Sequence, residues 1–340
     1  MRIDLLSDTL TKPTPAMLDA MFSAKVGDDV FDEDPTVRAL EEKMAELFGM
    51  EAGIFCPSGT MSNQIAIKVH TQAMDEVICD RSSHIYNYEA GGIAFNSACS
   101  VRLLDGDRGR IAPEEVLPNI NPTDIHRPRT SLLSIENTCN RGGGSIYSLQ
   151  HMKALSDVAR ENKLKFHLDG ARLFNALVKL DIKPIELAGF FDSISLCLSK
   201  GLGAPIGTVL IGSREFITQA KRVRKVYGGA MRQVGYLAAA GLYALDHHIE
   251  RLQDDHARAA RLGACLEKQS YVEAVFPVET NIVIFKLKEI LPLDAFINTL
   301  AEHDIRGIGF GPQLVRFVTH LDVTDRMIDE VIQVLENKFL

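Results

Sequence analysis

From Gly53 to Ile211 short apolar runs alternate with stretches of helical periodicity, and this alternation narrows the possible folds more than any other feature of the chain. Gly53-Ile-Phe-Cys56 precedes a helix expected from about Met61, Val77-Ile-Cys79 follows, and Leu132-Leu-Ser-Ile135 leads into a helix expected over 149–162. Leu164-Lys-Phe-His-Leu168, Ser193-Ile-Ser-Leu196 and Thr208-Val-Leu-Ile211 complete the series. Runs this short read as strands buried on both faces, and strands that take turns with helices assemble into a mostly parallel sheet between helical layers. Upstream, Asp34 can cap and Pro35 open a helix whose Val37, Leu40, Met44, Leu47 and Phe48 share one face and which Gly49 can stop. Past about 225 the rhythm changes. Helices are expected over 233–251 and 256–268, then strands over 281–285 and 314–319 with helices over 293–303 and 324–337. The expected organisation is a large α/β domain over 1–250 and a small C-terminal α+β domain over 251–340, for which 340 residues give room.

Charge removes several function classes. Lys and Arg number 37 against 45 Asp and Glu, a net −8, so nothing draws the chain as a whole to a phosphodiester backbone or an anionic membrane. The longest apolar stretch, 237–245, falls far short of the ~20 residues a membrane span requires. Met1-Arg2-Ile3-Asp4 and the polar Ser7-Asp8-Thr9 leave no room for the apolar run of an export signal. Six cysteines, Cys56, Cys79, Cys99, Cys139, Cys197 and Cys265, stand far apart without metal-ligand spacing and read as free thiols of a reducing compartment. The expected location is the cytoplasm, with no nucleic acid, membrane or metal as partner.

Chemistry concentrates where strands end. Leu164-Lys-Phe-His-Leu-Asp169-Gly-Ala-Arg172 runs a buried strand into a carboxylate and a glycine turn, and ligands of open α/β sheets collect at the carboxyl ends of strands. An Asp there also serves as an ordinary helix cap or turn former. Ser193-Ile-Ser-Leu-Cys-Leu-Ser-Lys200-Gly-Leu-Gly203 ends a second strand in a Lys among small residues, where partial burial would favour an amine able to attack a carbonyl. A lone Lys is usually a solvated surface residue. Together the two suit pyridoxal 5′-phosphate: the amine takes the aldehyde and the carboxylate faces the ring nitrogen. Cys56-Pro-Ser58-Gly59-Thr60-Met-Ser-Asn63 adds a small-residue turn before a helix, where N–H groups and the helix dipole favour an anion. His84 follows a further strand end, where an imidazole can stack on a ring or stand solvated.

In order along nearly the whole chain, Leu6-Ser-Asp-Thr9, the segment from Gly27 to Pro35, Pro57-Ser-Gly-Thr-Met-Ser-Asn63, His84 with Glu89-Ala-Gly-Gly92, Glu136-Asn-Thr138, His167-Leu-Asp-Gly-Ala-Arg172, Ser199-Lys-Gly-Leu-Gly203, Gly228-Gly-Ala-Met-Arg-Gln233 and Val318-Thr-His-Leu-Asp322 resemble the threonine aldolase family. These are pyridoxal-phosphate enzymes of fold type I, the aminotransferase-like superfamily. The resemblance implies that Lys200 binds the cofactor aldehyde, Asp169 pairs with the pyridine nitrogen and His84 stacks on the ring. Ser58, Gly59 and Thr60 would hold the phosphate, and Arg172 the cofactor's phenolic oxygen or the substrate. Ser7 and Arg316 would hold the substrate carboxylate, with His126 near the substrate hydroxyl. Lys225 and Arg232 would extend toward a neighbouring subunit's cofactor phosphate, which implies a homo-oligomer, a tetramer built as a dimer of dimers, with active sites at subunit interfaces. Lys221, Arg222, Arg224 and Lys225 also read as a solvated basic helix face. Ala230 and Cys139-Asn-Arg-Gly depart from the family pattern and bear on loop shape. The activity implied is reversible cleavage of L-threonine, L-allo-threonine and related β-hydroxy-α-amino acids to glycine and an aldehyde, with His84, His126 or a bound water as base. Another fold type I lyase acting by β-elimination, or an aminotransferase, is the alternative.

Overall fold

The computed structural model describes residues 2–339. After a two-residue strand β1 (Ile3–Asp4), the expected alternation becomes one seven-stranded sheet. Its strands are β2 (Ala52–Cys56), β3 (Asp75–Asp80), β4 (Ser100–Leu104), β5 (Arg129–Glu136), β6 (Lys165–Gly170), β7 (Ser193–Cys197) and β8 (Thr208–Gly212). They lie in the order β2-β8-β7-β6-β5-β3-β4, and only β8 runs against its neighbours. Every residue of β3, β7 and β8 is buried, as the unbroken apolar runs require of strands covered on both faces. The edge strand β4, Ser-Val-Arg-Leu-Leu, is largely half-exposed and too mixed in composition to be read as a strand beforehand.

The capped helix is Pro35–Leu47, with Asp34 Oδ1 accepting from the N–H groups of Thr36 and Val37 at 3.1 Å each. The helix expected over 233–251 is shorter, Gly235–His247. The chain leaves it at His248, whose ring nitrogen meets Leu202 O at 2.7 Å and ties the turn to the loop that carries Lys200.

A second core gathers around an antiparallel sheet of order β12-β13-β10-β9, formed by β9 (Val272–Val275), β10 (Ile282–Leu287), β12 (Ile308–Gly311) and β13 (Leu314–Val318). Phe285, Phe296 and Phe317 fill it, with helices Leu252–Leu266, Leu293–Glu302 and Asp325–Asn337 packed around them. Ile3 and Leu5 belong to this core: β1 pairs in parallel with β11 (Ile305–Arg306), and Leu5 O accepts from Val318 N at 2.8 Å. The next residues, 6–11, therefore run along the seam between the two cores.

Candidate active site

Strand direction brings the expected residues to one place. The parallel register sets Glu136 opposite Asp169 and Asp169 opposite Ser195, so β5, β6 and β7 end side by side. Lys200 lies three residues beyond β7, His84 four beyond β3, and Ser58 two beyond β2. All face the same edge of the sheet.

At the end of β6, Asp169 is 3% exposed; its Oδ1 accepts from Ala171 N at 3.1 Å and its Oδ2 from Asn63 Nδ2 at 2.9 Å. Asn63 Nδ2 also donates to Glu89 Oε1 at 2.9 Å, and Gln64 Nε2 to Glu89 Oε2 at 2.6 Å. His84 completes this cluster, its Nδ1 3.0 Å from the same Glu89 oxygen and its backbone N–H donating to Glu136 Oε2 at 2.8 Å. Burial disfavours the imidazolium, but the Glu89 hydrogen bond and the charges of Asp169 and Glu136 outweigh it, and the His84 pKa lies above the ordinary 6.5. Glu136 is pushed up by burial and by the neighbouring Asp169 charge. Ligand atoms of His84, Glu89 and Asp169 lie within 4.8 Å of one another, close enough for a cation. N–H groups of His84, Asn63 and Gln64 already fill the Glu89 carboxylate, which favours a hydrogen-bonded cluster over an ion there.

Helix Gly59–His70 begins beside this cluster. Ser58 caps it by accepting from Met61 N, and Ser58 O takes Ser62 N, so the Gly59 and Thr60 N–H groups remain without an intrahelical acceptor. A Cβ on Gly59 would stand 2.7 Å from Cys197 Sγ, so only glycine lets the turn close against the end of β7. Lys200 Nζ lies 3.7 Å from the same sulfur, which puts the amine next to these free N–H groups.

The third side is built by the seam. Arg172 grips Asp8 with Nε to Oδ2 at 2.7 Å and Nη2 to Oδ1 at 2.6 Å, and Asn281 Nδ2 reaches the same carboxylate at 3.2 Å. Burial alone would raise the Asp8 pKa, but the charges of Arg172 and Lys200 hold it down at about 2. The fork that sequence reading directs at cofactor or substrate is thus spent on Asp8, leaving Nη1. Arg316 on β13 donates from Nη1 to Asn140 Oδ1 at 2.8 Å and from Nη2 to Leu6 O at 3.0 Å, while its buried Nε has no partner. Burial and the Arg172 charge pull its pKa down to about 10, still a cation at neutral pH. Ser7 follows Leu6; its hydroxyl accepts from Thr9 N at 3.2 Å and from Thr9 Oγ1 at 2.8 Å.

His126 lies on the loop before β5, at the opposite end of that eight-residue strand from Glu136, about 25 Å from its own chain's site at strand rise. Its side chain is 82% exposed and bonded to Asp124, because β5 must run from that loop toward the site. Lys225 is exposed at the end of helix Arg214–Val226, and Arg232 pairs with Asp28 and lies over the Phe31 ring. Large apolar side chains accompany all three: Ile125 (97% exposed), Val226 (82%) and Phe31 (68%). Conversely, Glu89, Asn63 and Asp8 organise the site although sequence reading assigned them no role. Each lies inside a motif quoted above, but its partner is remote in sequence and spacing does not reveal it.

The residues present fit pyridoxal phosphate: free helix N–H groups for a phosphate, an amine beside them, a buried carboxylate with a capping imidazole, and an unpaired guanidinium N–H for a carboxylate. Comparison with known proteins agrees. Residues 4–290 match the family described as beta-eliminating lyase, which defines the class. The low-specificity L-threonine aldolase of Escherichia coli (strain K12) is 42% identical over 330 residues, covering 97% of each chain. The low-specificity L-threonine aldolase 1 of Arabidopsis thaliana is 39% identical over 95% of this chain and 92% of its own. Among solved structures, Leishmania major threonine aldolase superposes with a TM-score of 0.87 at 20% identity over 98% of both chains, and so shares the fold. Within the beta-eliminating lyases, then, the chain belongs to the threonine aldolase family, with a fold type I large unit and a small α+β unit.

Proposed function

We propose that the protein is a pyridoxal-phosphate lyase that reversibly cleaves L-threonine, L-allo-threonine and related β-hydroxy-α-amino acids to glycine and an aldehyde. The observation that carries this reading is the convergence of Lys200, Asp169 and His84 on one edge of the seven-stranded sheet, with Arg316 and its unpaired Nε in the seam beside the Arg172–Asp8 pair. When bound, the cofactor supplies an aldehyde for the substrate amine and a ring that withdraws electrons from Cα. Lys200 would hold that aldehyde, Asp169 would face the ring nitrogen, and Ser58, Gly59 and Thr60 would hold the phosphate. Arg316, backed by Ser7, would anchor the substrate carboxylate and so fix the orientation of the substrate. Arg172 reaches the site with Nη1 alone, fixed by Asp8.

His84 is the base we assign to the β-hydroxyl. With its Nδ1 proton committed to Glu89, its Nε2 lone pair is free to accept a proton, the arrangement that orients a catalytic imidazole. A base must be neutral to act, so turnover should fall as pH drops through the His84 pKa. A pH–rate profile should place that limb above 6.5, and His84→Ala should remove the limb and about 10²-fold of kcat. A limb at or below 6.5, or an unimpaired His84→Ala protein, assigns the proton to another group.

His126 would meet a site across a contact between copies, and the exposed Lys225 and Arg232 would extend toward a neighbouring copy's site. The apolar side chains beside each support an oligomer, for which we propose a tetramer, a dimer of dimers with sites at its interfaces. No helix of the described residues is long and apolar enough to cross a membrane. All six cysteines are free and buried, in keeping with a cytoplasmic enzyme of amino-acid metabolism. Incubation with each L and D isomer of threonine and allo-threonine tests the function: glycine and acetaldehyde from the L pair are expected. The family's name keeps β-elimination as a second reading, and 2-oxobutyrate with ammonia as the only products from threonine would establish it in place of cleavage.

A further inference from the structure

A row of hydrogen bonds runs beneath the site, in the seam between helix Gly59–His70 and strands β6 and β7. His70 Nε2 lies 2.7 Å from Ser193 Oγ, and Ser193 Oγ lies 2.8 Å from His167 Nδ1. His167 Nε2 lies 3.2 Å from Asn63 Oδ1, and Asn63 Nδ2 reaches Asp169 at 2.9 Å. Asn63, His167, Ser193 and Asp169 are each no more than 3% exposed. The geometry follows from the fold: Asn63 and His70 are seven residues apart on one helix face, and His167 and Ser193 are register partners in the sheet.

Donor and acceptor counting favours one arrangement. Asn63 spends both amide protons on carboxylates, Asp169 and Glu89, because the flipped amide would set its oxygen against two anions. Its Oδ1 must then accept, so His167 carries its proton on Nε2. His167 Nδ1 is left as an acceptor and takes the Ser193 hydroxyl proton, and Ser193 Oγ in turn accepts from His70 Nε2. Every proton in the row points toward Asp169. Burial pulls His167 down to about 4 against the raising effect of Asp169, and also holds His70 well below its ordinary value, in keeping with two neutral rings. The charged or titratable groups that face the row are Asp169, Glu89 and Lys165.

We propose that His167, held in its Nε2–H form by Ser193 and His70, is a positioning residue that locks the Asn63 amide and through it aims Asp169 at the cofactor ring nitrogen. This rests on the assignment of Asp169 made above. Without the His167 donor the buried Asn63 Oδ1 loses its partner, and the amide that holds Asp169 Oδ2 is anchored from the carboxylate side alone.

The experiment uses full-length protein with ¹⁵N-labelled histidine. Long-range ¹H–¹⁵N spectra of the cofactor-free protein should show His167 neutral and protonated on Nε2 from pH 6 to 9; a proton on Nδ1, or a cationic ring, overturns the proposal. Pyridoxal phosphate is then titrated into His167→Leu and His167→Gln proteins. The Leu side chain lacks the donor, whereas the Gln amide supplies one near the Nε2 position. His167→Leu should bind the cofactor roughly 10-fold more weakly and lose a similar factor in kcat with KM little changed, and His167→Gln should recover most of both. Leu and wild-type proteins alike in affinity and kcat overturn the proposal. Should His167→Leu fail to fold, Ser193→Ala serves: with Asn63 Oδ1 still requiring a donor, the spectra should keep His167 protonated on Nε2, and a proton moved to Nδ1 is the contrary result. Failure of the parent assignment looks different, since wild-type protein would then not bind pyridoxal phosphate while the tautomer pattern stood.

Discussion

Replacing Lys200 by alanine should leave a folded protein that has lost at least about 10³-fold in turnover of L-allo-threonine, the largest effect expected of any single change. The size reflects two jobs done by one amine. In the proposed function Lys200 would hold the cofactor aldehyde for the substrate, and its amine, on the chain that leaves β7 beside Asp169, would return a proton to Cα. No neighbour can substitute: the nearest side-chain partner is the Cys197 thiol at 3.7 Å, and the Arg172 fork is committed to Asp8. Borohydride reduction of the wild-type holoenzyme followed by peptide mapping should find the cofactor on the peptide that contains Lys200. A label elsewhere, or normal turnover in Lys200→Ala, refutes the assignment.

Asp8→Ala should be the most destabilising change near the site. The carboxylate is fully buried and answers two Arg172 nitrogens, so its removal strands a guanidinium that is itself only 7% exposed. Breaking a buried ion pair from one side costs about 3–5 kcal/mol, whereas replacing both partners by apolar groups is often close to neutral. Denaturant unfolding of the cofactor-free protein should therefore show a large loss for Asp8→Ala and a substantial recovery in the Asp8→Leu, Arg172→Met double variant. A single-variant loss below about 1 kcal/mol would mean that the pair is not desolvated as described. The pH dependence has a definite sign. Asp8 is held near 2, below its ordinary 3.8, so the pair's contribution is complete above pH 4 and disappears as pH falls toward 2.

Much of this site was legible before the fold was known, for a physical reason. Lys200 and Asp169 are each commonplace alone, a strand-end carboxylate being an ordinary cap and a lone Lys an ordinary surface residue, but the two on successive strand ends suit one cofactor. What escaped depends on partners far apart in sequence. Asp8 looks like a turn residue until Arg172 and Asn281 close on it. Glu89 looks like loop polarity until Asn63, Gln64 and His84 converge there. His126 shows the converse: a family resemblance can name a residue but not say which copy's site it serves, and the direction of β5 carries it away from its own chain's centre. Edges suffered as well, since β4 has too little apolar character and β1 too little length to be read without a partner.

The pairing of β1 with β11 sets an order on how the molecule comes into being. Ile3 finds Ile305, and Leu5 and Leu6 bind Val318 and Arg316, so these residues wait for partners made much later in the chain. The large sheet can collapse on its own while synthesis continues, but Asp8 and Ser7 reach their stations only once the C-terminal strands exist to receive them. A polypeptide that stops short of β13 would thus carry Lys200 and the free N–H groups of helix Gly59–His70 yet lack Arg316 and the strand that seats residues 5 and 6.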